Sequence, residues 1–288
     1  MSDTFKAALW MSGAILSFSS MAIAGRAVSF ELDTFEIMMY RSFVGVVIVL
    51  IVASLAGTLN QVSRDKLGLH LFRNISHFAG QNLWFYSITV IPLAQVFALE
   101  FTSPIWVLVL SPLFLGERLT PMRALAALLG FIGILIVARP GVGTFHHGLV
   151  TAAIAAIGFA GSIILTKKLT RTATITCILF YLTTMQAVFG ILFAGFDLDI
   201  ALPSASSVPW LILIGCAGLL AHYCLTTALS IAPATVVVPI DFIRLPAIAI
   251  IGMLLYEEPL DIFVFLGAVL IFGGNYLNIW FETRPQKA

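Results

Sequence analysis

Apolar residues in this chain do not alternate with polar ones; they run together. Ten stretches are almost unbroken: 7–28, 35–56, 67–90, 93–115, 121–138, 147–169, 174–196, 208–231, 234–256 and 261–281. Short segments carrying proline, glycine or charge separate them. A helix rises about 1.5 Å per residue, so about 20 apolar residues cross the hydrocarbon core of a bilayer. The pattern therefore predicts an all-α membrane protein with ten transmembrane helices. Thr120 ahead of Pro121 places an N-cap before a proline at the first helical position, and Asp261 can cap the last span likewise.

Composition agrees with the pattern. Of 288 residues, 60% are hydrophobic and 10% charged, with a mean hydropathy of +1.05; a soluble domain carries about a quarter charged residues. The solvent for that much apolar surface must be lipid. A net charge of +1 without a basic run argues against a nucleic-acid partner. Cys177, Cys216 and Cys224 form no CxxC pair and fall inside apolar stretches, so they read as small core hydrophobes with no metal or cofactor to hold. Lys6, the apolar run and Ala22-Ile23-Ala24 before Gly25 mimic a cleavable signal peptide. The internal repeat described below makes the same segment equivalent to a mid-chain helix, so it is read as a retained first span.

The basic residues assign the sides. With the N-terminus inside, Lys6, Arg64, Lys66, Arg118, Arg123, Lys167, Lys168, Arg171, Arg284 and Lys287 are cytoplasmic, and only Arg26 and Arg139 are outside. Ten against two is a strong positive-inside bias, so both termini are expected in the cytoplasm.

The halves repeat without gaps. Adding 141 carries Phe18 to Phe159, Tyr40 to Tyr181, Pro92 to Pro233, Glu100 to Asp241, Phe101 to Phe242 and Glu117 to Glu258. One register throughout argues duplication, with residues 1–143 and 144–288 as the two units of one membrane domain. Five spans per unit is an odd number, so the repeats are inverted. Inverted repeats are the architecture of secondary transporters, whose solute site lies between them near the midplane. Some channels share it, and a carrier is favoured over a channel.

The stretch from Pro92 through Ser103-Pro104 to Leu115-Gly116-Glu117-Arg118-Leu119-Thr120, then Gly130 to Gly133, resembles the EamA-type drug/metabolite transporter superfamily. Tyr40-Arg41-Ser42-Phe43 fits its arginine-containing second helix, and Pro233 through Glu257-Glu258-Pro259 to Gly273-Gly274 repeats the pattern. The resemblance implies ten helices in a bacterial inner membrane and export of amino acids or related metabolites by alternating access. Ser17-Phe18-Ser19-Ser20 departs from the usual Trp-Gly-Ser-Asn type stretch, which weakens transfer of the substrate.

Charge inside a bilayer is costly and marks function by default. Arg41, Arg73, Glu100, Asp241 and Arg244 qualify. Arg41 and Glu100 share a depth and are expected to pair, as are Asp241 and Arg244, three residues apart. Arg73, His77 and Gln81 recur every four residues and Trp84 continues their stripe, which must face the bundle or a water-filled cavity. A zwitterionic solute needs a cation for its carboxylate, a polar acceptor for its amine and an apolar wall. His77, Gln81 and Trp84 suit that, as do Tyr40, Phe101 and Trp106, with His222 as the repeat partner of Gln81. Ser20 is a further candidate, although the first-span serines and Gly25 equally serve close helix packing. Glu117 and Glu258 fit structural roles at helix ends.

No GxxxxGK[ST] occurs, so neither ATP hydrolysis nor an ATPase subunit is expected. Asn74-Ile75-Ser76 matches a glycosylation sequon inside a span and is discounted. A lipid-modifying membrane enzyme would need acids partnered with histidines at an interface. Glu31, Asp33, Glu36, Asp197 and Asp199 are scattered, and His146-His147 stands alone. The expected partners are a small-molecule solute, in the first instance an amino acid, and the lipid bilayer.

Overall fold

The computed structural model describes residues 3–115, 120–139, 146–237, 240–241 and 244–283. These residues are helical, with no strand among them. The helices are α1 (Asp3–Val28), α2 (Thr34–Leu55), α3 (Leu67–Val90), α4 (Leu93–Glu100), α5 (Ser103–Leu115), α6 (Pro121–Ala138), α7 (His147–Leu169), α8 (Ile175–Ala194), α9 (Val208–Ile231), α10 (Ala234–Val237), α11 (Arg244–Tyr256) and α12 (Ile262–Thr283). Five of them, α1, α2, α7, α8 and α9, are long and apolar enough to cross a membrane, and shorter apolar helices accompany them. α3 has the length, but His70, Arg73, Asn74, His77, Gln81 and Asn82 interrupt its hydropathy and are all buried. Leu55, Leu113, Phe72 and Leu192 are among many large apolar side chains left exposed, which only a lipid surround tolerates.

The structure departs from the expected pattern in the fourth and ninth stretches, each of which is split. Phe101 and Thr102 separate α4 from α5. Pro104 has no N–H to continue the ladder, and hydroxyls take up the freed carbonyls: Ser103 Oγ donates to Glu100 O (2.6 Å) and Thr102 Oγ1 to Leu99 O (2.7 Å). The ninth stretch divides into α10 and α11, with Asp241 between them. Broken backbone at membrane depth is tolerated where it lines a cavity or is buried in protein.

Each principal packing joins a helix before residue 139 to one after residue 146: α1 with α9, α3 with α7, α2 with α8 and α6 with α12. Small residues permit the close crossings. A Cβ on Gly158 would stand 2.9 Å from Gly80 Cα, and one on Gly133 2.6 Å from Gly267 O. Ser76 Oγ donates to Gly158 O (2.8 Å) across the first of these.

The connections gather at two ends. At one, Glu31 accepts from Ser204 and Ser207, Ala201 N donates to Glu36 (2.5 Å), and Asp33 with Glu36 makes a capping box on α2. At the other, Thr176 Oγ1 donates to Thr58 Oγ1 (3.3 Å). Asp261 caps α12 as expected, its Oδ1 accepting from Phe263 N (2.9 Å). Asn74 is fully buried, which removes the sequon from consideration.

Candidate functional site

One face of α3 presents Arg73, His77, Gln81 and Trp84 to a single cavity with about 80 Å³ of free space. The helical period that predicted a common face is what brings these four together. α9 supplies His222, Leu225 and Thr226; α1 supplies Met11, Phe18 and Met21; α7 supplies Phe159, Ser162 and Thr166. The two helix breaks complete the wall with Glu100, Phe101, Ser103, Asp241 and Arg244.

The cavity has two charged regions. Arg73, 2% exposed, donates from Nε to Thr166 Oγ1 (3.1 Å) and from Nη1 to Asn74 Oδ1 (3.0 Å), with no carboxylate bound to it among the described residues. On the other side Arg244 Nη2 donates to Glu100 Oε1 (2.6 Å) and to Asp241 Oδ2 (2.5 Å). Glu100 Oε2 accepts from Trp84 Nε1 (2.6 Å). The guanidinium of Arg244 lies over Phe97 (4.7 Å to the centroid), Phe18 (5.2 Å) and Phe101 (5.4 Å), so aromatic faces add cation–π attraction to its ion pairs. Glu100 ends α4 and Arg244 begins α11, each at the helix end whose dipole disfavours its charge. Their mutual pairing offsets that cost.

Between these regions lie polar atoms without partners. Among the described residues, His77 Nε2, Gln81 Nε2, both ring nitrogens of His222, Asp241 Oδ1 and Arg244 Nε have no hydrogen-bond partner. The His77 and His222 rings are edge to face with centroids 4.6 Å apart, and Phe18 and Phe159 flank them. An unmet buried donor or acceptor costs about 1–3 kcal/mol, a cost that a polar group entering the cavity would relieve.

Several expectations are corrected. Tyr40 does not reach the cavity; its hydroxyl donates to Ala201 O (2.8 Å) at one end of the bundle. Ser20 turns back onto its own helix, donating to Leu16 O (2.9 Å). Arg41 does not pair with Glu100. It is buried against Met38 and α9, where a Cβ on Gly218 would meet its Nη2 at 2.8 Å, and Glu100 belongs to Arg244 and Trp84. Trp106, half-buried, packs against an apolar cluster that includes Val107, Ala160 and Ile164 and does not line the cavity. Glu258 has the structural role expected of it: its Oε2 accepts the amide of Leu93 (2.9 Å), at the start of α4 instead of the next helix, while its other oxygen pairs with Arg26. Glu117 lies outside the described residues.

Sequence reasoning passed over Met11, Met21, Ser162, Thr166, Leu225 and Thr226. The register of 141 carried the signal for most of the wall, because it links Phe18 to Phe159, Met21 to Ser162, Gln81 to His222, Trp84 to Leu225, Glu100 to Asp241 and Ser103 to Arg244, all cavity residues.

The chain is similar to several known proteins. A riboflavin transporter of Brucella anthropi is 35% identical over 215 residues, 73% of this chain and 76% of that one. An S-adenosylmethionine uptake transporter of Rickettsia felis is 26% identical over 292 residues, covering 100% and 98%. A pseudopaline exporter of Pseudomonas aeruginosa is 28% identical over 261 residues, 90% of each. A solved crystal structure with 18% identity has a TM-score of 0.72 over 98% of this chain and 99% of its own, which shows a shared fold. The relatives are small-molecule transporters and not enzymes. The model of the EamA-like transporter family matches residues 5–139 and again 146–280, and this multi-pass membrane protein belongs to that family.

Proposed function

We propose that the protein is a secondary transporter for a metabolite of the S-adenosylmethionine type, an amino-acid carboxylate joined to a flat heterocycle. The observation that carries this reading is the set of unpartnered buried polar atoms on His77, Gln81 and His222 beside Arg73, a cation with no carboxylate bound among the described residues. Arg73 suits the carboxylate. The histidines and Gln81 suit further polar groups, and Phe18, Trp84 and Phe101 offer flat apolar walls. The whole-length likeness to an S-adenosylmethionine uptake transporter supports it.

In this reading ten spans form two inverted five-helix repeats in a bacterial inner membrane, with both termini cytoplasmic. Support comes from the register of 141, the two successive family matches and the ten-to-two distribution of basic residues. The fourth span is α4 with α5 and the ninth is α10 with α11. A free space of about 80 Å³ is far below the roughly 300 Å³ at which small-molecule pockets begin. The solute therefore enters when the bundle opens to one side, as alternating access requires. Relatives named for uptake and for export both occur, so export of amino acids in particular is the narrower form of this proposal.

Counterflow in proteoliposomes tests it: liposomes preloaded with unlabelled S-adenosylmethionine should accumulate the labelled compound transiently, and competing riboflavin should not interfere. A second reading, riboflavin, is favoured by the 35% identity to the Brucella anthropi protein. It replaces the first if riboflavin alone supports counterflow. If only simple amino acids do, the solute is of the smaller class.

A further inference from the structure

We propose that Glu100 and Asp241, gathered on the single guanidinium of Arg244, are the loading site for one coupling proton. This rests on the transport reading above.

The two halves are asymmetric at this point. The carboxylates stand 141 residues apart, one beside each helix break, but the base is not duplicated: Ser103 occupies the position 141 before Arg244. Two acids therefore share one cation, and a single nitrogen, Arg244 Nη2, serves both. When both acids are ionised the cluster carries one surplus negative charge. Trp84 Nε1 satisfies Glu100 Oε2, while Asp241 Oδ1 has no partner among the described residues.

Among the described residues Arg244 alone of the cations bonds these acids, and Arg73 lines the same cavity without touching them. Arg73 on α3 directs its donors to Thr166 and Asn74. His77 on α3 and His222 on α9 leave ring nitrogens unpartnered, and both rings are buried, at 2% and 4% exposed. An uncompensated charge in a low-dielectric interior is costly. A proton removes it without adding volume, and on Asp241 Oδ1 it would create a donor facing the cavity. A metal cation would need several oxygen ligands and would sit against a guanidinium. Among the described residues no group of three His, Cys, Asp or Glu could hold one. The step is a simple transfer: an O–H bond forms with a proton from water on one side of the membrane. It breaks to water on the other side once the bundle has reopened.

Infrared difference spectra, acid minus alkaline, of the purified full-length protein in liposomes test the site without any solute. The wild type should show a protonated-carboxyl band that Glu100→Gln and Asp241→Asn each abolish. Each single change leaves one carboxylate for one guanidinium, a balanced pair, so both variants should fold. In the same liposomes an imposed pH gradient should drive S-adenosylmethionine accumulation by the wild type, and both variants should lose that drive. A band that survives in both variants overturns the proposal, as does wild-type accumulation indifferent to the gradient. If the band behaves as expected while the wild type shows no S-adenosylmethionine counterflow, the proton site stands and the solute assignment falls.

Discussion

His77 and His222 differ from ordinary buried histidines because Nε2 of the one and both ring nitrogens of the other have no partner among the described residues. Truncating His222 therefore breaks no side-chain hydrogen bond among the described residues, and truncating His77 breaks none at Nε2. His222→Ala or His77→Ala should slow counterflow some ten- to hundredfold, the equivalent of losing a polar contact of about 1–3 kcal/mol, and shift the melting temperature little. A histidine that only packs would do the reverse, lowering stability while transport per folded molecule stays intact. Measuring both quantities on one preparation separates the roles. Arg244 is the contrasting case. Arg244→Ala leaves two carboxylates facing each other in the interior, so folded yield should fall by an amount equivalent to roughly 3–5 kcal/mol. Glu100→Gln, which leaves a balanced pair, should cost distinctly less. Equal losses in thermal unfolding would refute the shared-base arrangement.

Pairs of helices carry the next level of cause. The α3–α7 crossing depends on Gly158, where a Cβ would stand 2.9 Å from Gly80 Cα and 3.0 Å from Ser76 O, both backbone atoms that cannot swing aside. Gly158→Val should therefore destabilise by about 1–3 kcal/mol through overpacking, read as a lower melting temperature in detergent. At one end Arg26 ties α1 to the rest: it pairs with Glu258, donates to Ile91 O (3.1 Å) and stacks over Tyr256 at 4.7 Å. Lys167, 141 residues on, donates to Ala232 O (3.0 Å), itself 141 residues after Ile91. Glu258→Gln should loosen the Arg26 end and raise the labelling rate of a cysteine placed at Ser103 from that side. An unchanged rate would mean that the pair does not help to close the cavity. At the same end Glu31 is held below the usual carboxylate range by the Ser207 hydroxyl, then by the Ser204 amide and hydroxyl. With a lowered folded pKa, its stabilising contribution is present above the ordinary value and is lost as pH falls through the lowered one. Glu31→Gln should accordingly flatten the acid side of the stability profile.

Across the whole molecule, the alternation of ends makes a topological prediction. Cysteines at Ser63 and Thr172 should react with an impermeant reagent only from the cytoplasm, and those at Phe30 and Ala205 only from outside. Labelling of position 172 in intact cells would refute the inverted arrangement. Much of this framework was legible in the chain because hydropathy is a local property. The apolar run 67–90 is α3 to the residue, and 35–56 differs from α2 by a single residue at each end. The face of α3 was legible too, since a spacing of four residues sets a common side whatever lies opposite. What no local rule contained was partnership. Glu100 was expected to meet Arg41 until the break after α4 aimed it at Arg244 of α11, and Tyr40 looked like a site residue until its helix turned it toward Ala201. The sequence by itself therefore determined most of the helices and the polar stripe of α3, both set by periods along one chain. Only the tertiary structure decided which charges share a cavity and which of them remain unmatched, because that depends on which helices come to lie side by side.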